Sequence, residues 1–302
     1  MSPPRPLAVT IGVFDGVHRG HQALIRKTVE WARQERGTPL AITFQDHPEH
    51  VLRGGPSVPF LLPRIETFRL LRTFGIRRVQ ILRFTKKFSQ KNPESFVKWL
   101  LRLGRVKGIV VGTHFRFGHG AAGDAELLKK LGKRFGFGVA AVPPVRVQGE
   151  TVSSSRIREL LAQGRVEKAN RLLGRPYPIQ GLVVHGRHVG HKIGFPTANL
   201  NHIQQFLPKD GVYTCAVKIK NRYFHAAMNL GKRPTFKDDD HHRAAEVHIL
   251  NYRGRLYGKQ MTVYLLKYLR PEKKFSSPRS LVRQIQKDIR RALRISLPFG
   301  RK

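Results

Sequence analysis

Four stretches of this chain place reactive residue types at spacings that can do chemistry. The first runs from Gly12 to His21 and reads GVFDGVHRGH. Gly12, Gly16 and Gly20 let the backbone pass close to a ligand, with Phe14 and Asp15 between them. His18 and His21 stand three apart at the mouth of a helix, where backbone N–H groups already favour phosphate, so two imidazoles there would add donors for a triphosphate. The second stretch, Ser153 to Arg158, gathers three hydroxyls and two guanidiniums (Ser154, Ser155, Arg156 and Arg158 among them) just before a helix. That set suits a leaving pyrophosphate, although alone it also reads as a serine helix cap. The third, 181–200, carries Gly186, Gly190 and Gly194 in a segment able to wrap a phosphate without the ending of a Walker A loop. It then reads Pro196-Thr197-Ala198-Asn199. Thr197 and Asn199, two apart on an extended chain, share a face and offer hard oxygen donors for Mg²⁺ on a nucleotide; alone, the tetrapeptide reads as a turn. The fourth, AAEVHILN (244–251), is strand-like, with Val247 and Ile249 on one face and Glu246 and His248 on the other. Glu246 is a candidate general base for a hydroxyl or a carboxylate on a solvated face. The run Asp238-Asp239-Asp240-His241-His242 has metal-binding residue types, but adjacent residues do not easily converge on one ion, and a solvated loop tip is expected.

The elements that must position these groups change in kind along the chain. Up to about residue 142, short apolar runs (7–14, 40–44, 79–84, 108–112, 138–142) alternate with helical patterns (21–34, 63–75, 93–104, 123–136). Such alternation predicts a parallel sheet with helices on its faces and ligands beyond the carboxyl ends of the strands. Residues 158–174 read as two short helices. Beyond them VYTCAVKI (212–219), with Tyr213, Cys215, Val217 and Ile219 on one face, and three further strand patterns follow without intervening helices. These predict an antiparallel sheet or small barrel. Residues 277–295 form an amphipathic pattern in which Leu281, Ile285, Ile289 and Leu293 would cover a barrel edge. The change of pattern places the domain boundary near Leu173–Pro178.

Composition sets outer limits. A chain of 302 residues suggests two domains, and 40% hydrophobic residues can build real cores. A single cysteine, Cys215, excludes an intramolecular disulfide, which fits a reducing, cytoplasmic compartment; no secretory signal or membrane-length apolar run is evident. Against 19 acidic residues stand 57 Lys and Arg, a formal net charge of +38. The basic residues are spread along the chain and no nucleic-acid-binding motif accompanies them. The charge therefore predicts salt-sensitive adherence to polyanions rather than a specific nucleic-acid partner.

The motifs, taken jointly, carry a resemblance. G-x-F-D-G-x-H-x-G-H, then T-F-x-x-H-P (43–48), V-G-x-x-F-R-F-G (111–118) and S-S-x-R-I-R resemble, in order, the FAD synthetase module of bacterial bifunctional riboflavin kinase/FAD synthetases. From 175 to 290, G-F-P-T-A-N-L, P-K-D-G-V-Y, N-L-G-x-R-P-T-F, E-V-H-I-L, L-Y-G and L-R-P-E-x-K-F resemble riboflavin kinase. The resemblance implies a Rossmann-like α/β nucleotidyltransferase domain of the H-x-G-H type over 1–174. It implies an all-β six-stranded Greek-key barrel with a C-terminal helix over 175–302. It implies phosphorylation of riboflavin by ATP to FMN, then adenylylation of FMN by ATP to FAD with release of diphosphate, with Mg²⁺ as cofactor. By the same resemblance His18, His21 and Arg158 serve adenylyl transfer. Gly12, Phe14, Asp15, Gly16, His47, Ser154, Ser155 and Arg156 line the nucleotide or FMN site. Thr197 and Asn199 hold Mg²⁺–ATP under a loop containing Gly186, Gly190 and Gly194, Glu246 takes the ribityl proton, and Arg270 contacts flavin or nucleotide. Asp46, His114 and His191 depart from the family's usual pattern. Expected partners are the small-molecule substrates, with no specific nucleic acid, no membrane and at most weak self-association. Two other readings remain: a kinase that has lost adenylyl transfer, and a nucleic-acid-binding protein on an enzyme scaffold.

Overall fold

The computed structural model describes residues 4–54, 58–186, 190, 193–232 and 243–298. His191 and the Asp238–His242 run lie outside them. The chain divides into two compact units, Met1–Ser154 and Ser155–Lys302.

In the first unit, β1 (Leu7–Ile11), α1 (Arg19–Gln34), β2 (Thr38–Phe44), α2 (Pro48–Arg53), α3 (Arg64–Thr73), β3 (Arg78–Leu82), α4 (Lys86–Ser89), α5 (Pro93–Leu101), β4 (Val106–Gly112), α6 (Ala125–Phe135) and β5 (Gly138–Val142) follow in order. A small ribbon of β6 (Arg146–Val147) and β7 (Glu150–Thr151) follows. The main sheet is parallel, ordered β3-β2-β1-β4-β5. Every residue of β1 is buried, as expected of a central strand covered on both faces. Leu40 and Ile42 belong to the core formed with Phe96, Leu100 and Leu128 of α5 and α6, whereas Ala41 faces the core of Ile25, Leu70 and Leu71 from α1 and α3. Gly108 and Gly138 pair directly across β4 and β5. A Cβ on either would overlap the Trp31 indole, so the two glycines form the floor on which α1 lies. The order reverses between β1 and β4, and this switch point leaves a crevice beyond their carboxyl ends.

The second unit holds α7 (Ser154–Ala162, whose first residue belongs to the preceding unit), α8 (Val166–Leu173), β8 (Tyr177–Val184), β9 (Ala198–Asn201), β10 (Gly211–Ile219), β11 (Arg222–Lys232), β12 (Arg243–Ile249), β13 (Gln260–Arg270) and α9 (Pro278–Leu293). The six strands close into an antiparallel barrel, ordered β10-β11-β12-β9-β8-β13. The consecutive hairpins β10-β11-β12, with β13 returning beside β10, make a Greek key. Asn170 ties α8 to the barrel, its side chain accepting from Tyr177 N (2.8 Å) and donating to Leu265 O (2.8 Å). Compactness thus divides the chain ahead of α7 and α8, while the sequence pattern changes behind them, where β8 begins.

One expectation about faces is extended and one is corrected. In β10, Val212, Thr214 and Ala216 are buried as well as Tyr213, Cys215 and Val217, because α9 packs over the outside of β10 and β11. Along α9, Leu281 and Ile285 are half-buried and Asp288 and Ala292 are buried, but Leu293 is 51% exposed. A strict four-residue repeat advances about 40° per step beyond a full turn at 3.6 residues per turn, so three steps carry Leu293 about 120° off the packed face.

Candidate active sites

The N-terminal site grows from the end of β1. Gly12 N donates to Ile42 O (3.1 Å) and Thr43 Oγ1 to Val13 O (3.1 Å), holding the chain against β2 as it turns. Phe14 (φ 52°), Gly16 (φ 78°) and Val17 (φ 39°) all adopt positive φ. A buried, β-branched valine there is strained backbone of the kind that functional sites retain. The turn is fixed from outside: Asp15 Oδ1 accepts from Leu61 N (2.7 Å), Ser154 Oγ donates to Asp15 O (2.9 Å), and Gln22 Nε2 donates to Val17 O (2.9 Å). His18 is the N-cap of α1, and its Nδ1 accepts from His21 N at 3.3 Å. The tautomer that accepts at Nδ1 carries its proton on Nε2. The two imidazoles stack, centroids 3.7 Å apart and planes 15° apart, with Phe14 edge-on to His21 at 5.3 Å. Gly20 leaves room for this stack, since a Cβ there would stand 3.1 Å from the His18 ring. Two imidazoles thus stand at the positive end of a 16-residue helix, an arrangement of the kind that favours anions.

A cavity of about 680 Å³ opens at the same strand ends, bounded by Gly12, Phe44, Phe84, Phe88, Phe115 and Phe117. Its size and aromatic walls suit a flat apolar ring system, and Lys91 and Arg116 on its boundary supply cations. His47, expected in the pocket, is not among its lining residues, whereas its neighbours Pro48 and Glu49 are; the His47 ring lies 6.3 Å from Phe60. Asp46 faces Arg64 instead. The Arg64 guanidinium lies 5.4 and 5.2 Å from the Phe60 and Phe68 ring centroids. Burial pulls its pKa below the ordinary value, against the opposing pull of Asp46 and Asp15. His114 is exposed and outside the cavity lining. Ser155, Arg156 and Arg158 lie in the first turns of α7, with Arg156 paired to Glu159 at 3.0 Å.

The barrel site is a matter of register. Arg270 lies opposite Val212, Val212 opposite Asn229, Asn229 opposite Glu246, Glu246 opposite Asn199, and Asn199 opposite Val184. Directly opposed residues share a face. Ala245, Val247, Met228, Leu230 and Leu200 fill the interior, so this row points outward, where α9 covers part of it. A cavity of about 290 Å³ there is lined by Thr197, Asn229, Glu246, Arg270 and Glu272, with Leu281, Ile285 and Asp288 contributed by α9. A second cavity of about 240 Å³ lies on the other side of Pro196-Thr197-Ala198, lined also by Tyr252, Arg253, Arg255 and Tyr257. Thr197 borders both. His248 Nδ1 lies 2.8 Å from Pro196 O, holding the Pro-Thr-Ala-Asn segment against β12. Asn199 is buried, and a Cβ at Gly186 would overlap its carboxamide, so Gly186 supplies the cradle in which the amide sits. Gly190 O accepts from Phe195 N (2.8 Å), and Gly194 has φ 85°.

Three residues, Asn229, Glu272 and Asp288, received no role from sequence. Asn229 Nδ2 donates to Glu272 Oε1 at 2.8 Å, and Asp288 holds Arg270 through Nε (2.9 Å) and Nη2 (2.8 Å) while accepting from Gln284 (2.9 Å). Arg270 Nη1 donates to Pro271 O, so its donors serve the joint between β13 and α9. The signal for Asp288 was visible: it is the only acid in a strongly basic helix.

Comparison with known proteins assigns a family to each half of the chain. The FAD synthetase family model matches residues 1–156 and the riboflavin kinase model residues 173–296. The bifunctional riboflavin kinase/FMN adenylyltransferase of Escherichia coli K12 is 36% identical over 290 residues, covering 95% of this chain and 92% of its own length. Its counterpart in Buchnera aphidicola from Schizaphis graminum is 34% identical over 287 residues, with 93% and 91% covered. A crystal structure from Streptococcus pneumoniae, of a protein named a macrolide-efflux protein, superposes with a TM-score of 0.90 at 33% identity, covering 98% of this chain and 96% of that one. Its name speaks of efflux; among the described residues here no helix is long and apolar enough to cross a membrane, and the family models and curated relatives agree with one another instead. This chain belongs to the bifunctional riboflavin kinase/FMN adenylyltransferase family.

Proposed function

We propose that the chain phosphorylates riboflavin with ATP to FMN and ADP, then joins FMN to the AMP of a second ATP, giving FAD and diphosphate. Kinase chemistry is assigned to 175–302 and adenylyl transfer to 1–174. The observation that carries this is the row Asn229–Glu246–Asn199, which sets a carboxylate beside two amides and Thr197 at the boundary of two cavities.

In the kinase site the flavin occupies the cavity under α9 and the nucleotide the one beside Tyr252 and Tyr257. Glu246 takes the proton of the terminal ribityl hydroxyl, whose oxygen attacks the γ-phosphorus as ADP leaves. The residues fit Mg²⁺: Thr197 Oγ1 and Asn199 Oδ1 are hard donors, and the Gly186 cradle fixes the amide. No cluster of three His, Cys, Asp or Glu occurs among the described residues, so phosphate oxygens and water would complete the shell. When bound, the ion neutralises charge on the transferring phosphate.

In the N-terminal site the isoalloxazine lies in the phenylalanine cavity and an FMN phosphate oxygen attacks the α-phosphorus, with no covalent enzyme intermediate. His18, His21 and the start of α1 stabilise charge on the phosphates, with Gly12, Phe14, Asp15 and Gly16 shaping the turn. Ser154 positions it, and Ser155, Arg156 and Arg158 hold the leaving diphosphate. His47 acts from behind the cavity wall. Arg270 supports the flavin cavity through Asp288. The cytoplasm is the assigned compartment, in keeping with the lone, buried Cys215.

Chromatography of the products from riboflavin, ATP and Mg²⁺ tests the reading. FMN appears first and FAD follows; absence of both sinks it, and FMN without FAD leaves only the kinase. Glu246→Ala lowers FMN formation by about 10²–10⁴-fold while FAD formation from FMN continues. His21→Ala does the reverse, by about a hundredfold. Loss of both activities in either folded variant contradicts the division of labour.

A further inference from the structure

The two reactions leave the surface of α9 without a role. Its packed face, with Leu281, Ile285, Asp288 and Ala292, contacts the barrel. Arg279, Arg283, Lys287, Arg290 and Arg294 are all exposed. At about 100° per residue these five fall within about 80° of one another around the axis, centred roughly opposite the packed face, and at about 1.5 Å per residue they span about 22 Å. None is ion-paired among the described residues. The only acid of the helix, Asp288, is buried and committed to Arg270. At its C-terminal end the ladder meets a niche of about 350 Å³ between β13 and α9, lined by Lys267, Tyr268, Leu269, Arg291, Arg294 and Ile295. Lys267 there is 3.7 Å from Glu167, and the two arginines carry no such partner.

We propose that this face binds single-stranded nucleic acid through its phosphates, independently of sequence. A linear array of five cations about 22 Å long fits a linear polyanion. The niche admits one nucleotide of a flexible strand but not the edge of a duplex. An anionic membrane fits less well, because the apolar stripe that a surface helix inserts into lipid is here turned onto the barrel. The charge of the ladder, rather than the diffuse +38 of the chain, sets the site.

The test is fluorescence anisotropy of a labelled oligouridylate of about 20 nucleotides against the full-length protein, between about 50 and 200 mM KCl. Five phosphate contacts give a slope of log affinity on log salt near about −3.5, at about −0.7 per contact for a single strand. Replacing Arg279, Arg283, Lys287, Arg290 and Arg294 together by Gln flattens that slope by about 3 and weakens binding at least about tenfold. Replacing five exposed cations of the other unit, Arg33, Arg72, Arg102, Lys130 and Lys133, by Gln removes the same charge and changes binding by less than about threefold. Riboflavin phosphorylation by the ladder variant, and FAD formation from FMN by the variant of the other unit, stay at the wild-type rate, which reports that each altered unit is folded. Equal losses in the two variants overturn the proposal in favour of net charge alone, as does absence of binding at the lowest salt. Phosphatidylserine vesicles form the second arm: vesicle capture that needs the ladder, with oligonucleotide binding that does not, overturns it in favour of a membrane.

Discussion

Asp288→Ala gives the sharpest test of how the terminal helix supports the barrel. Asp288 and Arg270 have side chains only 4% and 12% exposed and meet at 2.8 Å, with a second bond at 2.9 Å and Gln284 on the other carboxylate oxygen. Deleting the carboxylate strands a guanidinium away from water, a change that costs about 3–5 kcal/mol when a buried pair loses one member. For a unit of about 150 residues each kcal/mol moves the melting point by about 2–4 °C, so the barrel unit melts roughly 6–20 °C lower. Because Leu281, Ile285 and Asp288 line the same cavity as Glu246, loosening α9 also raises KM for riboflavin. FAD formation from FMN is the internal control and keeps its rate. The assay is residual kinase activity after stepwise heating, with FAD formation followed on the same samples. Arg270→Met combined with Asp288→Leu removes both charges, and this double variant recovers most of the lost stability. A melting shift under about 2 °C for Asp288→Ala, or a double variant no more stable than the single one, refutes the reasoning.

Two glycines give further outcomes. Gly108→Ala puts a methyl into the Trp31 indole and destabilises the N-terminal unit by about 1–3 kcal/mol, read as earlier thermal loss of FAD formation with kinase activity retained; unchanged heat tolerance would show that α1 yields freely. Gly186→Ala displaces the Asn199 carboxamide and raises the kinase KM for Mg–ATP about 10–100-fold, while adenylyl transfer, measured from FMN, stays as it was; an unchanged KM would remove Asn199 from the nucleotide site.

Much of the frame could be read from the chain because local pattern and long-range packing agree. Apolar runs alternating with amphipathic ones give the parallel sheet, and Gly12 to His21 falls at the end of its first strand as read. What stayed hidden depends on register. Nothing in residues 199, 229 and 246 taken separately says that β9, β11 and β12 bring them side by side, since a one-residue slip would turn every one of them to the other face. The phenylalanine cavity was hidden for a related reason. Phe44, Phe84 and Phe115 are far apart in sequence, and each reads as ordinary core until the parallel strands align their carboxyl ends. The strand β9 was masked by the residues at its entry, because Pro-Thr-Ala-Asn has the composition of a turn.

In a chain with 57 basic and 19 acidic residues, the acids carry more information than the cations. An arginine here has many neighbours of its own sign, so its position says little. A carboxylate is rare, and several are committed to a defined joint. Asp15 fixes the turn before His18 through Leu61 N, Asp124 caps α6 through Leu127 N, and Asp210 holds Arg243 at the start of β12. Glu272 orients Asn229 beside Glu246, and Asp288 locks α9 to β13. Each lies where an element must meet a neighbour at a fixed place, and three of the five border a proposed site. For Asp210 and Asp288 the surplus of positive charge makes the joint harder to replace, because a lost carboxylate leaves Arg243 or Arg270 among like charges rather than in a balanced surface. Glu246 differs from them. It lies beside Asn229 and Asn199 in the strand register, exposed and with no ion pair of its own among the described residues, so its carboxylate is not spent on a structural joint.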